Sequence, residues 1–331
     1  MGDPAGIGPE VILKVIRRRA LASKCRLLIY GDFRWLSKVH REIFGGSLER
    51  YLKRHVPGYS TGNYEIVDFK NLPPNIRLGR ATALGGSASG DYIDAATSDA
   101  LGGQIQAVVT LPINKIAFSK GRWGTRFIGH TEMLTGLTGA RFCALMLVYG
   151  RLRAVHVTSH IALSQVSRTL TKKRICQTIQ LTDRGLRQMG IRNPRILVCA
   201  FNPHGGEGGL FGREERSVIR PAVSYCARAG MRVEGPLSAD TVWPQVLAGA
   251  FDAGIAMYHD QGQIPVKLLS FQGSADRRSV RGVNVTLGLP IIRTSVVHGT
   301  AYDIAGKGLA SDASLIDAIQ LALKMAEAKN V

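Results

Sequence analysis

The sequence predicts an α/β protein with a largely parallel sheet, and three observations support this fold class. Apolar runs rich in β-branched residues alternate with segments of helical periodicity, as in strands joined by helical crossovers. Short polar motifs follow five of the apolar runs, where α/β sheets bind their ligands. No segment approaches the roughly 18 uncharged apolar residues of a membrane span.

Seven apolar runs are predicted strands: 26–30, 107–111, 144–149, 152–157, 195–200, 231–233 and 254–258. Residues 177–189 are a predicted helix, because Ile179, Leu186 and Met189 recur at roughly helical spacing and Gly190 is a suitable C-cap. The capping box Ser314-x-x-Asp317 predicts the start of the last helix.

The composition indicates a globular protein. A length of 331 residues, 45% apolar content and 38 glycines fit one large or two medium domains. The amino terminus has no basic-apolar-small signal pattern, so we expect a cytoplasmic protein. Five scattered cysteines without C-x-x-C spacing are typical of reduced thiols in that compartment: Cys25, Cys143, Cys176, Cys199 and Cys226.

The net charge of +19, from 43 basic and 24 acidic residues, favours anionic partners. The basic clusters are short and lack interleaved aromatic residues, for example Arg17-Arg18-Arg19 and Lys172-Lys173-Arg174. We therefore interpret the charge mainly as a basic solvated surface. Attraction of an anionic substrate is the next interpretation.

Three histidines each follow an apolar run: His160, His204 and His259. Neutral imidazole is a common ligand of divalent transition metals, and three imidazoles with an open position make a catalytic arrangement. Their spacings exclude a local finger, so the fold would have to assemble the site. His156 has the spacing of a helical metal pair with His160, but it lies in a predicted strand and is expected to be structural.

Two glycine-rich segments are candidate nucleotide or phosphate sites. The opening Gly2-Asp3-Pro4-Ala5-Gly6-Ile7-Gly8-Pro9-Glu10 runs into a helix but matches neither standard phosphate-loop motif, so a structural turn is equally favoured. Residues 298–308 are more specific, since their small side chains would let a ligand approach the backbone. The segment 129–132 forms a candidate anion-binding set with Lys267, Asn284 and Arg293.

Five ordered motifs belong together: Gly-Asp-Pro-Ala-Gly-Ile-Gly-Pro-Glu from residue 2, Gly-His-Thr-Glu from 129, Asn-Pro-His-Gly-Gly-Glu-Gly-Gly from 202, Tyr-His-Asp-Gln-Gly from 258 and Val-Asn-Val-Thr-Leu-Gly-Leu-Pro-Ile-Ile-Arg-Thr-Ser from 283. This set resembles the 4-hydroxythreonine-4-phosphate dehydrogenase family of vitamin B6 biosynthesis. The resemblance runs from residue 2 to about 310 and covers nearly the whole chain.

The resemblance implies an isocitrate/isopropylmalate-dehydrogenase-like fold with two α/β lobes around a cleft and three αβα layers. Lobe one would span about 1–125 plus 260–331, and lobe two about 126–259. It also implies a homodimer whose subunits share one divalent metal (Zn, Mg or Co) per site through His160, His204 and His259.

The remaining site residues also come from the resemblance. Substrate contacts match His130, Thr131, Lys267, Asn284 and Arg293, and Asp240 falls on an acidic active-site position. The segment 298–308 resembles an adenosine-binding loop for NAD, with NADP as an alternative, through His298, Gly299, Asp303, Gly306 and Lys307.

The implied reaction is metal- and NAD-dependent oxidation and decarboxylation of a small phosphorylated hydroxy acid of the 4-hydroxythreonine 4-phosphate type, in pyridoxal 5'-phosphate biosynthesis. The metal would stabilise the developing alkoxide, and hydride would pass to the nicotinamide. The resulting β-keto acid would then lose CO2. Either Lys267 or Asp240 would move the hydroxyl proton, and the residue types do not choose between them.

The chain departs from the family pattern in four places. It begins inside the Gly-Asp-Pro loop, which suggests an upstream start or a missing strand. Residues 272–280 form an insertion, and Val297 replaces the usual acidic residue. Segments 157–163 and 263–269 are closer to a branch that oxidises D-threonate or D-erythronate 4-phosphate in sugar-acid catabolism. Further alternatives are a catalytically weakened member and a basic nucleic-acid-binding protein.

Overall fold

The computed structural model describes residues 1–19, 21–59, 62–272 and 280–329, which form two compact units. Unit 1 consists mainly of the described residues of Met1–Gly139 and Pro290–Leu323. Unit 2 consists of 140–272, Arg281–Leu289 and 324–329. The boundaries of these units differ from those of the predicted lobes. Residues 126–139 were predicted in lobe two but belong to unit 1, and residues 260–272 were predicted in lobe one but belong to unit 2. Most of the 272–280 insertion lies outside the described residues.

The strands of the described residues are β1 Leu27–Gly31, β2 Lys53–Arg54, β3 Tyr64–Asp68, β4 Ala107–Thr110, β5 Ala144–Tyr149, β6 Leu152–His156, β7 Arg195–Cys199, β8 Arg232–Leu237, β9 Ala253–Ala256, β10 Val283–Leu287 and β11 Ile292–Val296. The helices are α1 Gly8–Arg18, α2 Phe33–Phe44, α3 Ala83–Leu101, α4 Lys115–Lys120, α5 His130–Thr138, α6 Leu163–Thr169, α7 Lys172–Gln188, α8 Arg220–Arg228, α9 Ala239–Ala248, α10 His259–Gln272 and α11 Ala313–Lys329. The predicted α/β fold is confirmed.

All seven predicted strands are present. The sequence did not predict β2, β3, β10 or β11. Strand β8 is longer than predicted, since it extends to Leu237 and includes Gly235 and Pro236. Two helix starts were also wrong. Helix α7 begins five residues early because the Thr171 hydroxyl accepts a hydrogen bond from the Arg174 amide, and Ser314 lies inside α11.

Unit 2 contains six strands in the order β10-β5-β6-β9-β7-β8. Strands β10 and β6 are antiparallel to β5, whereas β6, β9, β7 and β8 are mutually parallel. The inner strands β7 and β9 are apolar and buried along nearly their whole length, as expected of strands covered on both faces, whereas β8 at the edge of the sheet is partly exposed. Ile196, Leu197, Val198 and Ile255 are completely buried.

Unit 1 contains a parallel sheet in the order β1-β3-β2 and the parallel pair β4–β11. Helix α1 is buried on most of its surface from Gly8 to Ile16, and Val11, Leu13 and Ile16 lie in the core. Helix α3 carries Gly90 where a Cβ would lie 2.0 Å from the Trp123 ring, which explains a glycine within a helix. Among the described residues, no helix has the length and apolarity needed to span a bilayer.

Candidate functional site

Four predicted site residues follow the ends of four neighbouring parallel strands in unit 2. His160 follows β6, His259 follows β9, His204 follows β7 and Asp240 follows β8. Because adjacent parallel strands end at the same edge of a sheet, these residues share the carboxyl edge of the unit 2 sheet. We call this feature the histidine edge.

His160 and His259 are neighbours at the histidine edge. Their ring centroids lie 5.7 Å apart. Two imidazoles on one tetrahedral zinc ion would have centroids about 5 Å apart, given zinc–nitrogen bonds of about 2 Å. The His259 Nδ1 atom lies 2.6 Å from the Asp260 Oδ1 atom, which leaves His259 Nε2 for an ion. The donor type and spacing therefore fit a shared divalent metal.

His204 lies in a left-handed turn, unlike the other two histidines. Residues 204–208 all have positive φ angles, from 43° at Glu207 to 79° at Gly206. His204 itself has φ 52° and is exposed. Within the described part of this single chain, no group of three His, Cys, Asp or Glu side chains is arranged to hold a metal. The chain thus brings two of the three predicted ligands together.

Buried polar side chains join the strand ends beneath these histidines. The Thr158 hydroxyl donates to the Met257 carbonyl at 2.8 Å, which joins the chain after β6 to the chain after β9. The Gln261 amide donates to the Ala200 carbonyl at 2.8 Å, which joins α10 to the end of β7. The sequence predicted no role for Thr158 or Gln261. For Gln261, the sequence did contain a signal, because this residue belongs to the motif Tyr-His-Asp-Gln-Gly from residue 258.

His156 lies inside β6, as predicted, and it is buried. Its Nδ1 atom donates to the Leu145 carbonyl at 3.1 Å, and burial lowers its pKa to about 4. The ring centroid lies 6.1 Å from that of His259. A Cβ on Gly262 would lie 2.6 Å from the His156 Nε2 atom, so this imidazole packs directly against the first turn of α10. His156 therefore supports the helix that carries His259.

The remaining predicted residues of unit 2 lie on three elements. Asp240 is exposed in the first turn of α9, and Lys267 is exposed on α10. Asn284 is half-buried on β10, a strand that the apolar pattern did not predict. His259 begins α10, a helix that the sequence did not predict and that contains Gly262 and Pro265. Lys267 therefore belongs to the same helix as His259.

The candidate anion-binding residues of unit 1 include a buried cation and an imidazole whose Nε2 atom is buried. The Arg293 guanidinium donates to the Thr110 hydroxyl at 2.6 Å, and burial lowers its pKa to about 10. Burial and the charge of Arg293 hold the pKa of His130 well below its usual range. His130 begins α5 beside the exposed Thr131, and its buried Nε2 atom has no hydrogen-bond partner. A guanidinium and a neutral imidazole are both donors suited to an anionic group.

Residues 298–308 form an irregular segment after β11. His298 is half-buried, and burial lowers the pKa of its imidazole. Asp303 and Lys307 are exposed, whereas Gly299 has no atom within 4 Å of an added Cβ. A Cβ on Gly306 would lie 2.4 Å from a Leu78 methyl group, so this glycine has a packing role. The exposed residues leave one side of the segment accessible to a ligand.

The opposite side of this segment is bonded to the glycine-rich opening of the chain. The Tyr302 hydroxyl donates to the fully buried Asp3 carboxylate at 2.5 Å. The Glu10 carboxylate accepts from the Gly308 and Ala310 amides at 3.2 and 2.7 Å. The glycine-rich opening therefore supports the candidate nucleotide segment through side-chain carboxylates.

The chain therefore has an α/β fold of the kind found in many enzymes, and the residues that could bind a ligand lie at the ends of its strands. The family described as pyridoxal phosphate biosynthetic protein PdxA matches residues 23–322. The chain belongs to this family.

Curated relatives and solved structures match over nearly full length. A D-threonate 4-phosphate dehydrogenase of Cupriavidus necator is 42% identical over 98% of this chain and 96% of the relative. A 4-hydroxythreonine-4-phosphate dehydrogenase of Geobacter metallireducens is 43% identical over 99% of this chain and 95% of the relative. The crystal structure of a 4-hydroxythreonine-4-phosphate dehydrogenase from Klebsiella pneumoniae has a TM-score of 0.87 at 39% identity, with 98% and 96% of the two chains covered.

Proposed function

We propose that this protein is a metal- and NAD-dependent dehydrogenase that oxidises and decarboxylates a small phosphorylated hydroxy acid. The substrate type is 4-hydroxythreonine 4-phosphate, and the product would enter pyridoxal 5'-phosphate biosynthesis. The observation that carries the proposal is the histidine edge, where His160 and His259 have metal-pair spacing in a chain of this family.

The third metal ligand, His204, would come from a second copy of the chain. Two observations support this arrangement. No three-ligand group is present within the described part of one chain, and large apolar side chains are exposed near the histidines. These side chains lie within ten residues of a predicted histidine ligand along the chain and are each at least 60% exposed: Leu163, Leu210, Ile264 and Leu268. Exposed apolar surface of this kind favours an interface, so the active form would be a homodimer.

Charged and polar residues would bind the substrate. Arg293 and neutral His130 supply donors for an anionic group in a buried setting, with Thr131 beside them. Lys267 and Asn284 would contact the substrate, and Lys267 or Asp240 would take the proton of its secondary hydroxyl.

The cofactors would supply the redox chemistry. When bound, the divalent ion would lower the pKa of the hydroxyl, and NAD or NADP would accept the hydride. The protein would hold the adenosine part against residues 298–308, including His298, Asp303 and Lys307. The bonds from Asp3 and Glu10 would keep that segment in place.

D-threonate or D-erythronate 4-phosphate is the second candidate substrate. Relatives with names from both branches match this chain at 42% and 43% identity, so identity does not separate them. Each acid offered separately with NAD and Zn²⁺, Mg²⁺ or Co²⁺ would identify the substrate by the rate of NADH formation. A higher kcat/KM with 4-hydroxythreonine 4-phosphate would support the first candidate, and the reverse ratio would support sugar-acid catabolism.

Loss of one histidine tests the metal role. We expect His204→Ala, or treatment with a chelator, to abolish NADH formation, whereas the unit 1 variant His55→Gln should retain it. Undiminished turnover by His204→Ala would contradict the proposal.

Mixing two inactive variants tests the shared site. His204→Ala and His259→Ala should each be inactive alone. If each site takes His204 from the other subunit, equal mixing with subunit exchange should restore roughly a quarter of wild-type activity, because half of the dimers would each contain one intact site. A mixture that stays inactive after demonstrated exchange would contradict a shared site.

A further inference from the structure

A buried carboxylate holds the chain immediately before His204. The Glu215 Oε1 atom accepts hydrogen bonds from the Phe201 and Asn202 backbone amides at 2.8 and 2.7 Å. Its Oε2 atom accepts from the Asn202 side-chain amide at 2.9 Å. Glu215 is 3% exposed, so these contacts lie inside the protein. Asn202 is two residues before His204, with only Pro203 between them.

The same carboxylate also limits the chain immediately after His204. A Cβ on Gly206 would lie 2.7 Å from the Glu215 Oε2 atom, and Gly206 has φ 79°. Both the left-handed conformation and the close approach therefore require glycine at this position. Gly206 is two residues after His204. Glu215 thus contacts the chain on both sides of the histidine.

A second carboxylate fixes the orientation of the Asn202 amide. Glu214 Oε2 accepts from Asn202 Nδ2 at 2.9 Å, and Glu214 Oε1 accepts from the Ser167 hydroxyl at 2.6 Å. The Asn202 amide nitrogen therefore donates to two carboxylates. Reversal of this amide would place its oxygen against both of them, so Asn202 has a single favourable orientation.

This arrangement is a costly way to stabilise a fold. Burial of a carboxylate costs several kcal/mol unless hydrogen bonds compensate, and an apolar side chain of similar size would avoid the cost. The three donors to Glu215 are neutral, and all belong to Phe201 and Asn202. The left-handed turn that follows is itself unfavourable at the non-glycine residues His204 and Glu207. The network therefore fixes a local geometry that the turn would not keep by itself.

We propose that Glu215 is a positioning residue that holds His204 in the orientation required to bind the metal. This inference rests on the proposed metal role of His204. A histidine supplied to a second subunit projects from an exposed turn, so its position must be fixed from within its own subunit. Contacts beyond the direct ligands commonly alter metal affinity by about 10- to 100-fold.

The test uses the full-length protein, stripped of metal by a chelator and titrated with Zn²⁺ alone by calorimetry. Glu215→Gln retains the size of the side chain but replaces one carboxylate oxygen with an NH2 group. This NH2 group would face the Asn202 side-chain NH2 group, and two donors cannot form a hydrogen bond with each other. We expect Zn²⁺ affinity to fall by about 10- to 100-fold. Hydrogen exchange at residues 203–211 should also rise in the metal-free variant. Glu234→Gln, an exposed neutralisation on β8 of the same unit, should bind Zn²⁺ as the wild type does.

Two further measurements make each outcome decisive. Circular dichroism and thermal melting show whether Glu215→Gln folds. If it does not fold, Asn202→Ala is titrated in its place. For that variant we expect Zn²⁺ affinity to fall by about 3- to 10-fold. Unchanged affinity in the variant that folds would overturn the proposal, as would an equal loss in Glu234→Gln. If the wild type bound no Zn²⁺, the proposed metal role of His204 would fail. If the wild type and Glu215→Gln bound Zn²⁺ equally well, only the positioning role of Glu215 would fail.

Discussion

The histidine edge of unit 2 and the Arg293–His130 region of unit 1 place their functional groups differently. At the histidine edge, His160 and His204 are exposed, and buried polar groups such as Thr158 and Glu215 fix the backbone beneath them. In unit 1, the Arg293 side chain and the His130 Nε2 atom are themselves buried.

This difference predicts how each region would bind its proposed ligand. The Arg293 guanidinium has already lost its water, so the unit 1 region would bind an anion through groups that are held in place before binding. The exposed imidazoles are held less firmly, so the histidine edge would depend on accurate positions and on a third ligand. Substitutions should therefore affect binding and stability in different proportions in the two regions.

The largest expected effect is loss of anion binding in Arg293→Met. We expect kcat/KM to fall by about 100-fold or more, because a lost partner of a buried charge pair typically costs 2–5 kcal/mol. The thermal midpoint should change less than kcat/KM, because Met retains the length of the side chain and most of its packing. Kinetics with the phosphorylated substrate and thermal melting measure the two effects. Arg184→Met, an exposed change on α7, is the matched control.

Two outcomes for Arg293→Met would contradict this account of unit 1. Unchanged kcat/KM would remove Arg293 from the anion-binding set. A large fall in melting temperature with retained kcat/KM would make it a structural residue. Either result would remove the contrast between the two regions.

A smaller effect is expected at the histidine edge from Gly262→Ala. Helix propensity alone would favour alanine by about 1 kcal/mol. The added Cβ, however, would lie 2.6 Å from the buried His156 Nε2 atom, and overpacking of this kind costs about 1–3 kcal/mol. We expect a net loss of stability and Zn²⁺ affinity about 10-fold weaker, because His259 moves with α10.

Melting and calorimetric titration of Gly262→Ala check both effects. Gly102→Ala is the control, since its Cβ would meet nothing nearer than 3.4 Å. If Gly262→Ala were more stable than the wild type, His156 would not be supporting α10.

The sequence predicted the main strands and the location of the histidines because both have local signals. Strands β5, β6 and β7 are apolar runs, and polar residues after them stand out. The contacts that orient the histidine side chains have no local signal in the sequence. Thr158 bonds to Met257, 99 residues away, and Glu215 bonds to residues 13 and 14 positions earlier, so only the folded chain reveals these pairs.

The missed elements have a related physical cause. Gly262 and Pro265 suggest a loop after His259, but contacts with His156 and the sheet stabilise a helix there. Strands β10 and β11 flank Gly288 and Pro290, which interrupt the apolar pattern. In both cases, tertiary packing determined a conformation that local propensity did not favour.

The smallest expected effect concerns the support of residues 298–308 in unit 1. Tyr302→Phe removes the hydroxyl that donates to Asp3, which leaves one buried carboxylate oxygen without that donor. This should cost about 1–3 kcal/mol at pH 7 and raise KM for NAD several-fold. Tyr225→Phe, with an exposed ring, should change neither quantity.

The pH dependence of this loss follows from the Asp3 carboxyl. Burial raises the pKa of Asp3, and the hydrogen bonds from Tyr302 and the Ala5 amide oppose the rise. A raised pKa in the folded state means that ionised Asp3 destabilises the protein at neutral pH, and this cost disappears as the pH falls through that pKa. Without the Tyr302 bond the pKa rises further, so the stability gap between variant and wild type should narrow as the pH falls from 7 through the Asp3 pKa of the variant toward the unfolded value of about 3.9. Denaturant unfolding at steps from pH 7 to pH 4 measures the gap. A gap that stays constant down to pH 4 would show that the Tyr302 hydroxyl does not stabilise an ionised Asp3, and the buried carboxylate would then not be what supports residues 298–308.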